Sequence, residues 1–204
     1  MFVPAAFAFT ERSEQLAFMR EYPFAVLTTN DLQATHLPLL VNTQGDSLTL
    51  LGHVARGNPH WRKLNNTPAL AVFSGPHAYI SPQWYASEPN VPTWNYVAVH
   101  AKGTLHIMSE DALLAAMDEL MATFEPDFIQ QEAGDAYNGY RQKLLKGIVG
   151  ITLQVESVQG VRKLGQHKNQ ADRAGVCTGL KSTSNFESLA LLEYMQRHNI
   201  GYAE

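Results

Sequence analysis

The chain has 204 residues, 45% of them hydrophobic and 17% charged, with a formal net charge of −4; this apolar fraction suffices for a folded core and excludes a mainly disordered protein. The single cysteine, Cys177, excludes a disulfide framework and a thiolate zinc site, and it favours a reducing, cytoplasmic compartment. No stretch approaches the roughly 18 apolar residues of a membrane span, and the N-terminus lacks the basic start of a signal peptide, so neither a membrane partner nor processing is expected.

The first part of the chain predicts a helix followed by antiparallel strands. Leu16, Met19 and Tyr22 lie at helical spacing, and Pro23 ends this helix because the residue before a proline disfavours the helical conformation. Runs rich in Leu, Val and Thr, separated by turn-prone residues, predict strands at 24–29, 35–41, 47–52, 69–74, 96–108 and 149–156. Six strands with few helices predict a mainly β, antiparallel barrel, because closure of the sheet removes its edges.

Two helices are predicted in the second half of the chain. Ser109 is a favoured N-cap residue ahead of an apolar stripe, and Pro126 ends that helix. Ser184 and Glu187 have the spacing of a capping box and predict a C-terminal helix. The segment before it, residues 174–184, is predicted to be a flexible linker.

Charge is unevenly distributed along the chain. Residues 109–135 carry eight carboxylates, Glu132 among them, and no Lys or Arg, which favours a solvated helix face. Residues 161–181 carry five basic side chains against Asp172 alone, so this compact basic segment is able to meet an anion.

The segment at 52–64 carries the first candidate site. Asn58 is a favoured N-cap residue and Pro59 a favoured first helical residue, so a short helix with free backbone N–H groups is predicted there. Basic side chains surround these donors and complete a candidate cradle for one phosphate group: Arg56, His60, Arg62 and Lys63. An ordinary strand-to-helix connection with solvated basic residues explains this segment equally well.

The segment at 73–85 is rich in Pro-bearing turns and aromatic side chains. Ser81 and Pro82 predict a second short helix start, and Trp84, Tyr85 and Trp94 lie close by in the sequence. Long loops with Trp, Tyr and His line ligand sites, whereas Tyr and Trp are also enriched in dimer interfaces. Both interpretations stay open, because ligand sites often form where two surfaces meet.

Several other classes of site lack their signatures. The eight histidines are dispersed and none forms a His-x-x-x-His pair, so no metal site is expected. No Gly-x-Ser-x-Gly elbow, P-loop or dinucleotide-binding glycine motif is present. Cys177 lies in the predicted linker and is interpreted as a bystander.

Five short motifs stand in a fixed order: Thr-His-Leu-Pro-Leu at 35–39, Gly-His-Val-Ala-Arg-Gly-Asn-Pro-His-Trp at 52–61, Gly-Pro-His-Ala-Tyr-Ile-Ser at 75–81, Val-Pro-Thr-Trp-Asn-Tyr at 91–96 and Lys-Gly-Ile-Val-Gly at 146–150. Together they resemble the successive signatures of the PaiB family, which is described as FMN-binding negative transcriptional regulators. The resemblance implies a split β-barrel of the pyridoxamine-phosphate-oxidase type, homodimeric, with FMN between the subunits. It covers residues 1–176, so we expect an FMN-binding split-barrel domain there and a linker and helix at 177–204 packed on the same domain.

The resemblance also implies roles for individual residues. It assigns the FMN phosphate to Arg56, Asn58 and His60, with Arg62 or Lys63 in reserve. It assigns strand-edge contacts with the flavin to Thr35, His36 and Leu37. The ring site is assigned to Ser74, Tyr79 and Ile80, with Trp94 and Asn95 on a loop that reaches the partner subunit, and Lys146 is a further candidate.

One departure from the family pattern lies at 163–168. Where family members read Lys-Leu-Ser-Gln-Asn-Arg, this chain has Lys-Leu-Gly-Gln-His-Lys. Exchanging Arg for Lys168 removes a planar, bidentate donor, so recognition at this segment is expected to differ. Gln166 matches the family pattern, so the resemblance still implies a role for it in the pocket.

Two functions follow from the resemblance: a regulator that senses flavin, redox state or a metabolite, and an FMN-dependent oxidoreductase. The oxidoreductase would draw its polar and stacking groups from His36, His77, Tyr79, Trp94 and Gln166. Direct DNA contact is not expected, because no helix-turn-helix signature is present. A protein-interaction scaffold without FMN is a third alternative, which the acidic segment at 109–135 would suit.

Overall fold

The computed structural model describes residues 1–127 and 135–204. Its helices lie at Arg12–Glu21 (α1), Glu110–Phe124 (α2), Asp135–Leu145 (α3), Gln170–Ser182 (α4) and Phe186–His198 (α5). Its strands lie at Ala8–Phe9 (β1), Phe24–Thr29 (β2), Ala34–Pro38 (β3), Leu40–Gln44 (β4), Ser47–Ala55 (β5), Thr67–Ile80 (β6), Thr93–Ile107 (β7) and Ile148–Lys163 (β8).

The strands follow the order β3-β2-β6-β7-β8-β5-β4, and β1 pairs with β8 outside this path. Strand β2 pairs antiparallel with both β3 and β6, and β5 pairs antiparallel with both β4 and β8. Packing divides the chain into two compact units. The sheet unit comprises residues 19–73 and 101–158, and the helix unit comprises residues 1–18, 74–100 and 159–204.

The sheet unit has a core of alternating strand residues. Strand β5 buries every second residue, including Leu48, Leu50 and Val54, and β2 does the same with Leu27. Gly103 permits a close backbone approach, because a Cβ atom there would lie 1.9 Å from the carbonyl oxygen of Gln154. Glycine at this position therefore belongs to the packing of the sheet.

The helix unit is built around α4 and α5. Leu180 of α4 and Leu191, Tyr194 and Met195 of α5 are buried. A Cβ atom at Gly179 would lie 2.2 Å from the ring of Trp84, so the small residue admits the indole against α4. Short side chains on α4 thus allow an aromatic ring to pack directly on the helix.

The observed strands differ from the predicted ones in number and length. The described residues form eight strands rather than six, and the predicted strand at 35–41 is two strands, β3 and β4, separated at Leu39. Pro38 has no N–H to continue the ladder, and the N–H of Leu39 donates to the carbonyl oxygen of Pro23 at 2.9 Å. The predicted strand at 69–74 continues through Gly75 and Pro76 to the end of β6.

Predictions for the helices are confirmed at α1 and α2 and wrong at the predicted linker. Ser109 caps α2 by accepting from the N–H of Ala112 at 3.2 Å. Most of the predicted linker at 174–184 is instead α4, capped by Asn169. Of the acidic segment at 109–135, Glu132 lies outside the described residues. In the part of the chain that is described, no helix is long and apolar enough to span a membrane.

The cap of α5 is Asn185 rather than Ser184. The Asn185 side chain accepts from the N–H of Glu187 at 2.8 Å, whereas Ser184 lies in the left-handed region with φ 53°. We expect Asn185→Ala to lower the free energy of unfolding by about 1 kcal/mol, as for other lost N-caps. Ser184→Gly is the matched variant, and it should leave stability unchanged or raise it, because glycine tolerates this backbone conformation. Urea denaturation measures both, and equal losses would contradict this assignment of the cap.

Candidate functional site

Three exposed basic residues and one partly buried tryptophan lie at the end of β5 and are here called the Arg56 site: Arg56, Arg62, Lys146 and Trp61. The Arg56 guanidinium donates from Nε to the carbonyl oxygen of Lys146 at 2.9 Å and from Nη2 to that of Ile148 at 3.1 Å. The Trp61 indole N–H donates to the carbonyl oxygen of Arg56 at 2.8 Å. These bonds fix the Arg56 side chain and the loop beneath it.

Both guanidinium groups of the Arg56 site contact the same indole. The Cζ atoms of Arg56 and Arg62 lie 5.7 Å and 5.9 Å from the centre of the Trp61 ring. Among the described residues, neither arginine forms an ion pair with a carboxylate, whereas Lys63 is paired with Asp31 at 3.0 Å. Two positive charges are therefore held at one ring without a carboxylate partner from residues 1–127 and 135–204.

The donor chemistry of the Arg56 site fits a phosphate group. A guanidinium has five N–H donors, and two of those of Arg56 are used on backbone carbonyls, which leaves three. Arg62 is exposed and adds further cationic donors, and Lys146 is an exposed lysine whose backbone carbonyl oxygen accepts from Arg56. Arginine forks match the geometry of phosphate oxygens, so these residues are suited to hold a phosphate group.

The predicted set of free backbone donors is absent at the start of this segment. The helix is a five-residue 3-10 helix, Pro59–Lys63, and Pro59 has no N–H to offer. The N–H of His60 donates to the Asn58 side chain at 3.0 Å, and that of Trp61 donates to the Asn58 carbonyl at 3.4 Å. Anion contacts here depend on side chains rather than on a helix terminus.

His60, four residues after Arg56 in the sequence, is the centre of a buried hydrogen-bond network and is only 1% exposed. Its Nδ1 lies 2.9 Å from the hydroxyl of Thr35, and its Nε2 lies 2.8 Å from that of Thr29. The Asn58 amide donates to the Thr35 hydroxyl at 3.1 Å. The Thr29 hydroxyl donates to Asp31 at 2.6 Å. Three predicted site residues, Thr35, Asn58 and His60, are thus brought together.

The partners of His60 determine where its proton lies. Because the single hydroxyl proton of Thr29 is given to Asp31, the Thr29 oxygen must accept from His60, so Nε2 carries the hydrogen. Nδ1 of the neutral ring then accepts from Thr35. Every group in this chain of bonds has one assigned role, so His60 positions Thr35 and Asn58 and is enclosed beneath the surface.

The protonation states agree with this arrangement. Burial lowers the pKa of His60 below its ordinary 6.5, which keeps the ring neutral. Hydrogen bonds from Thr29 and Lys63 lower the pKa of Asp31 from 3.8 to about 2, so it stays ionised and accepting. The carboxylate thereby holds Thr29 as a donor at neutral pH.

The other predicted flavin contacts of the sheet unit lie on β3, at one end of the strand order. His36 is exposed, with its ring 6.2 Å from that of Phe24. Leu37 is 3% exposed, so its side chain is not available to a ligand.

The predicted ring-site residues lie in the helix unit. Tyr79 and Trp94 are 45% and 53% exposed, and their ring centres are 6.3 Å apart. Ser74 is exposed, whereas Ile80 and Asn95 are 0% and 2% exposed, so neither of these two residues offers a surface to a ligand. The structure therefore gathers two of these five side chains, Tyr79 and Trp94, at one exposed place.

Gln166 closes a loop of the helix unit. Its side chain accepts from the N–H of Leu164 at 2.9 Å and donates to the carbonyl oxygens of Arg162 at 2.6 Å and Ala6 at 3.2 Å. The neighbouring Gly165 has φ 75°, a left-handed conformation that favours glycine over the serine of the family pattern. The glycine of this departure therefore suits the backbone conformation that the loop adopts here.

Sequence reasoning missed two groups of residues. Thr29 and Asp31 were placed in a strand and a turn, yet they fix the state of His60. His77 forms an ion-pair contact with Glu187 at 3.1 Å, although Glu187 was read only as a capping residue. The sole available signal was the polar sequence Thr-Asn-Asp at 29–31 after an apolar strand.

Comparison with known proteins identifies the family. The family described as "Putative FMN-binding domain" matches residues 1–157. The chain belongs to this FMN-binding family. It is 35% identical over 201 residues to the protease synthase and sporulation protein PAI 2 of Bacillus subtilis, across 96% of this chain and 97% of that protein. The resemblance to the PaiB family is confirmed, and it extends beyond residue 176, where we had expected it to end.

Solved structures show the fold of this FMN-binding family member. The FAD and heme binding protein from Mycobacterium smegmatis superposes with a TM-score of 0.58 at 19% identity, over 78% of this chain and 74% of that one. Flavocytochrome Anf3 from Azotobacter vinelandii superposes with a TM-score of 0.60 at 13% identity, over 78% and 71%. The predicted mainly β split barrel with added helices is confirmed, with more strands than the six expected.

Proposed function

We propose that this FMN-binding split-barrel protein is a cytoplasmic homodimer that holds FMN between its subunits and acts as a negative transcriptional regulator of the PaiB type. The observation that supports FMN binding most directly is the Arg56 site, where two guanidinium groups meet one indole without a carboxylate partner among the described residues. Arg56, Arg62 and Lys146 hold the phosphate, and His60 with Asn58 and Thr35 supports them from below. FMN supplies one- and two-electron redox chemistry when bound.

The regulator is proposed to act without direct contact between its basic segment and DNA. Three of the five basic side chains at 161–181 are engaged inside the helix unit. Arg162 pairs with Glu14 at 2.7 Å, Lys163 donates to Thr93, and Lys168 donates to Asn90 at 2.6 Å. Side chains held in this way are poorly placed to neutralise a run of phosphates.

A second candidate function is an FMN-dependent oxidoreductase that acts on a small molecule. It is favoured by one observation, the exposed group of His77, Tyr79 and Trp94, which offers polar and stacking surfaces to a ligand. His36 and Gln166 were further candidates, but the Gln166 side chain is already used within its loop.

An absorption spectrum of the purified protein with added FMN, recorded after gel filtration, tests FMN binding. We expect retained flavin bands in the fractions of a dimer. Absence of these bands, together with no change in FMN fluorescence on titration, would overturn the proposal.

Turnover and transcript levels then separate the two functions. Sustained oxidation of NADH or NADPH with any small-molecule acceptor would favour the oxidoreductase. Target transcript levels should rise in a deletion strain if the protein is a negative regulator. A return to the original level when the wild-type chain is supplied, but not when the Arg56→Ala variant is supplied, would favour the regulator.

A further inference from the structure

The helix unit contains a cleft of about 360 Å³ that the Arg56 site does not use. This volume lies at the small end of ligand pockets, which measure roughly 300–1,000 Å³. The cleft is lined by residues of β6, the following 3-10 turn, β7 and the start of α5: His77, Ala78, Tyr79, Trp84, Trp94, Thr183, Asn185, Glu187 and Ser188. All of these residues belong to one compact unit.

The aromatic walls of this cleft stand at a steep angle to each other. The rings of Tyr79 and Trp94 are inclined by 74°, with their centres 6.3 Å apart, and the His77 ring is 5.7 Å from Trp94. Trp94 is 53% exposed, which leaves part of its ring open to a ligand. Aromatic rings arranged as the walls of a box are the geometry that attracts an organic cation through their electron-rich faces.

The charged groups of the cleft also favour a cationic ligand. Glu187 contributes a carboxylate whose side chain is 54% exposed, and its contact with His77 at 3.1 Å fixes its position. Among the described residues that line the cleft, none is a lysine or an arginine. Glu187 is the one acidic residue among the described residues that line the cleft, and His77 is its ion-pair partner.

We propose that this cleft binds a small organic cation, with an ammonium group held between Tyr79, Trp94 and the Glu187 carboxylate. Tyr79 and Trp94, which the resemblance assigned to the flavin ring, are here assigned to the cation instead, and the cleft shares no residue with the Arg56 site. Such a ligand would be the signal of the regulator or the substrate of the oxidoreductase.

Choline and its neutral isostere 3,3-dimethylbutan-1-ol test the proposal. Binding is followed by broadening of the ligand methyl resonance and by tryptophan fluorescence, with both FMN-loaded and FMN-free protein. We expect choline to bind both forms and the neutral isostere to bind about tenfold more weakly or not at all. Glu187→Gln and Trp94→Leu should each weaken choline binding by about tenfold.

Glu193→Gln is the matched control, because Glu193 is an exposed carboxylate on the same helix outside the cleft. It should leave choline binding unchanged, and circular dichroism establishes that all three variants are folded. Equal binding of choline and the alcohol, no binding of choline, or an unchanged Glu187→Gln variant would each overturn the proposal. Competitive displacement of choline by FMN would also overturn it, since the cleft would then hold the flavin ring. Failure of FMN to bind leaves the choline result unaffected and contradicts only the proposed function.

Discussion

Replacing Arg56 with alanine is expected to weaken FMN binding by about 10- to 100-fold. A charge-assisted hydrogen bond contributes about 1.5–3 kcal/mol, and 1.4 kcal/mol corresponds to a tenfold change in affinity. Two donors of Arg56 are occupied by the carbonyl oxygens of Lys146 and Ile148, so the rest of the guanidinium is held in place for a ligand. The dissociation constant is measured by quenching of FMN fluorescence.

Riboflavin separates a phosphate contact from a general loss of the site. It has the flavin ring without the phosphate, so Arg56→Ala should weaken FMN binding and leave riboflavin binding nearly unchanged. Arg56→Lys keeps the charge but loses the fork, and it should fall between the wild type and Arg56→Ala. Arg20→Ala serves as the control, because Arg20 is an exposed arginine on α1. Equal weakening of FMN and riboflavin by Arg56→Ala would place the phosphate elsewhere.

Local signals in the sequence predicted the local parts of this structure. Asn58, Ser81 and Ser109 were recognised as caps, because an N-cap depends on a side chain and an N–H two or three residues away. The five ordered motifs also pointed to the family, which comparison confirmed. These features need no knowledge of which distant segments meet.

Features that depend on distant partners were missed or misread. The hydrogen bond of His60 with Thr29, 31 residues away, has no signal in the sequence around either residue. Gly175 and Gly179 made α4 look like a linker, whereas both lie against Trp84. Gly75 and Pro76 looked like a turn, yet β6 runs through them. In each case tertiary packing overrode a local preference.

Removing the His60 side chain is expected to lower the free energy of unfolding by about 3 kcal/mol. His60→Ala leaves a cavity and deprives the hydroxyls of Thr29 and Thr35 of their partner, and each such loss costs about 1–3 kcal/mol. Urea denaturation at neutral pH measures the change. His36→Ala is the matched control, because His36 is an exposed histidine of the same unit, and it should change stability by less than about 0.5 kcal/mol.

The difference in free energy of unfolding between the wild type and His60→Ala depends on pH, and this dependence tests the neutral state of His60. Burial lowers its pKa in the folded protein below the ordinary 6.5, so as the pH falls below 6.5 the unfolded chain takes up a proton that the folded chain refuses. Stability of the wild type should therefore fall in that range.

The pKa values of His53 and His167 are lowered by burial as well, so the pH dependence of the stability is shared with these two histidines. Subtracting the His60→Ala curve isolates the share of His60, and the gap between the two proteins should narrow as the pH falls. A gap that stays constant from pH 7 to pH 5 would mean that His60 titrates alike in both states, and the assigned network of Thr35, His60 and Thr29 would then be wrong.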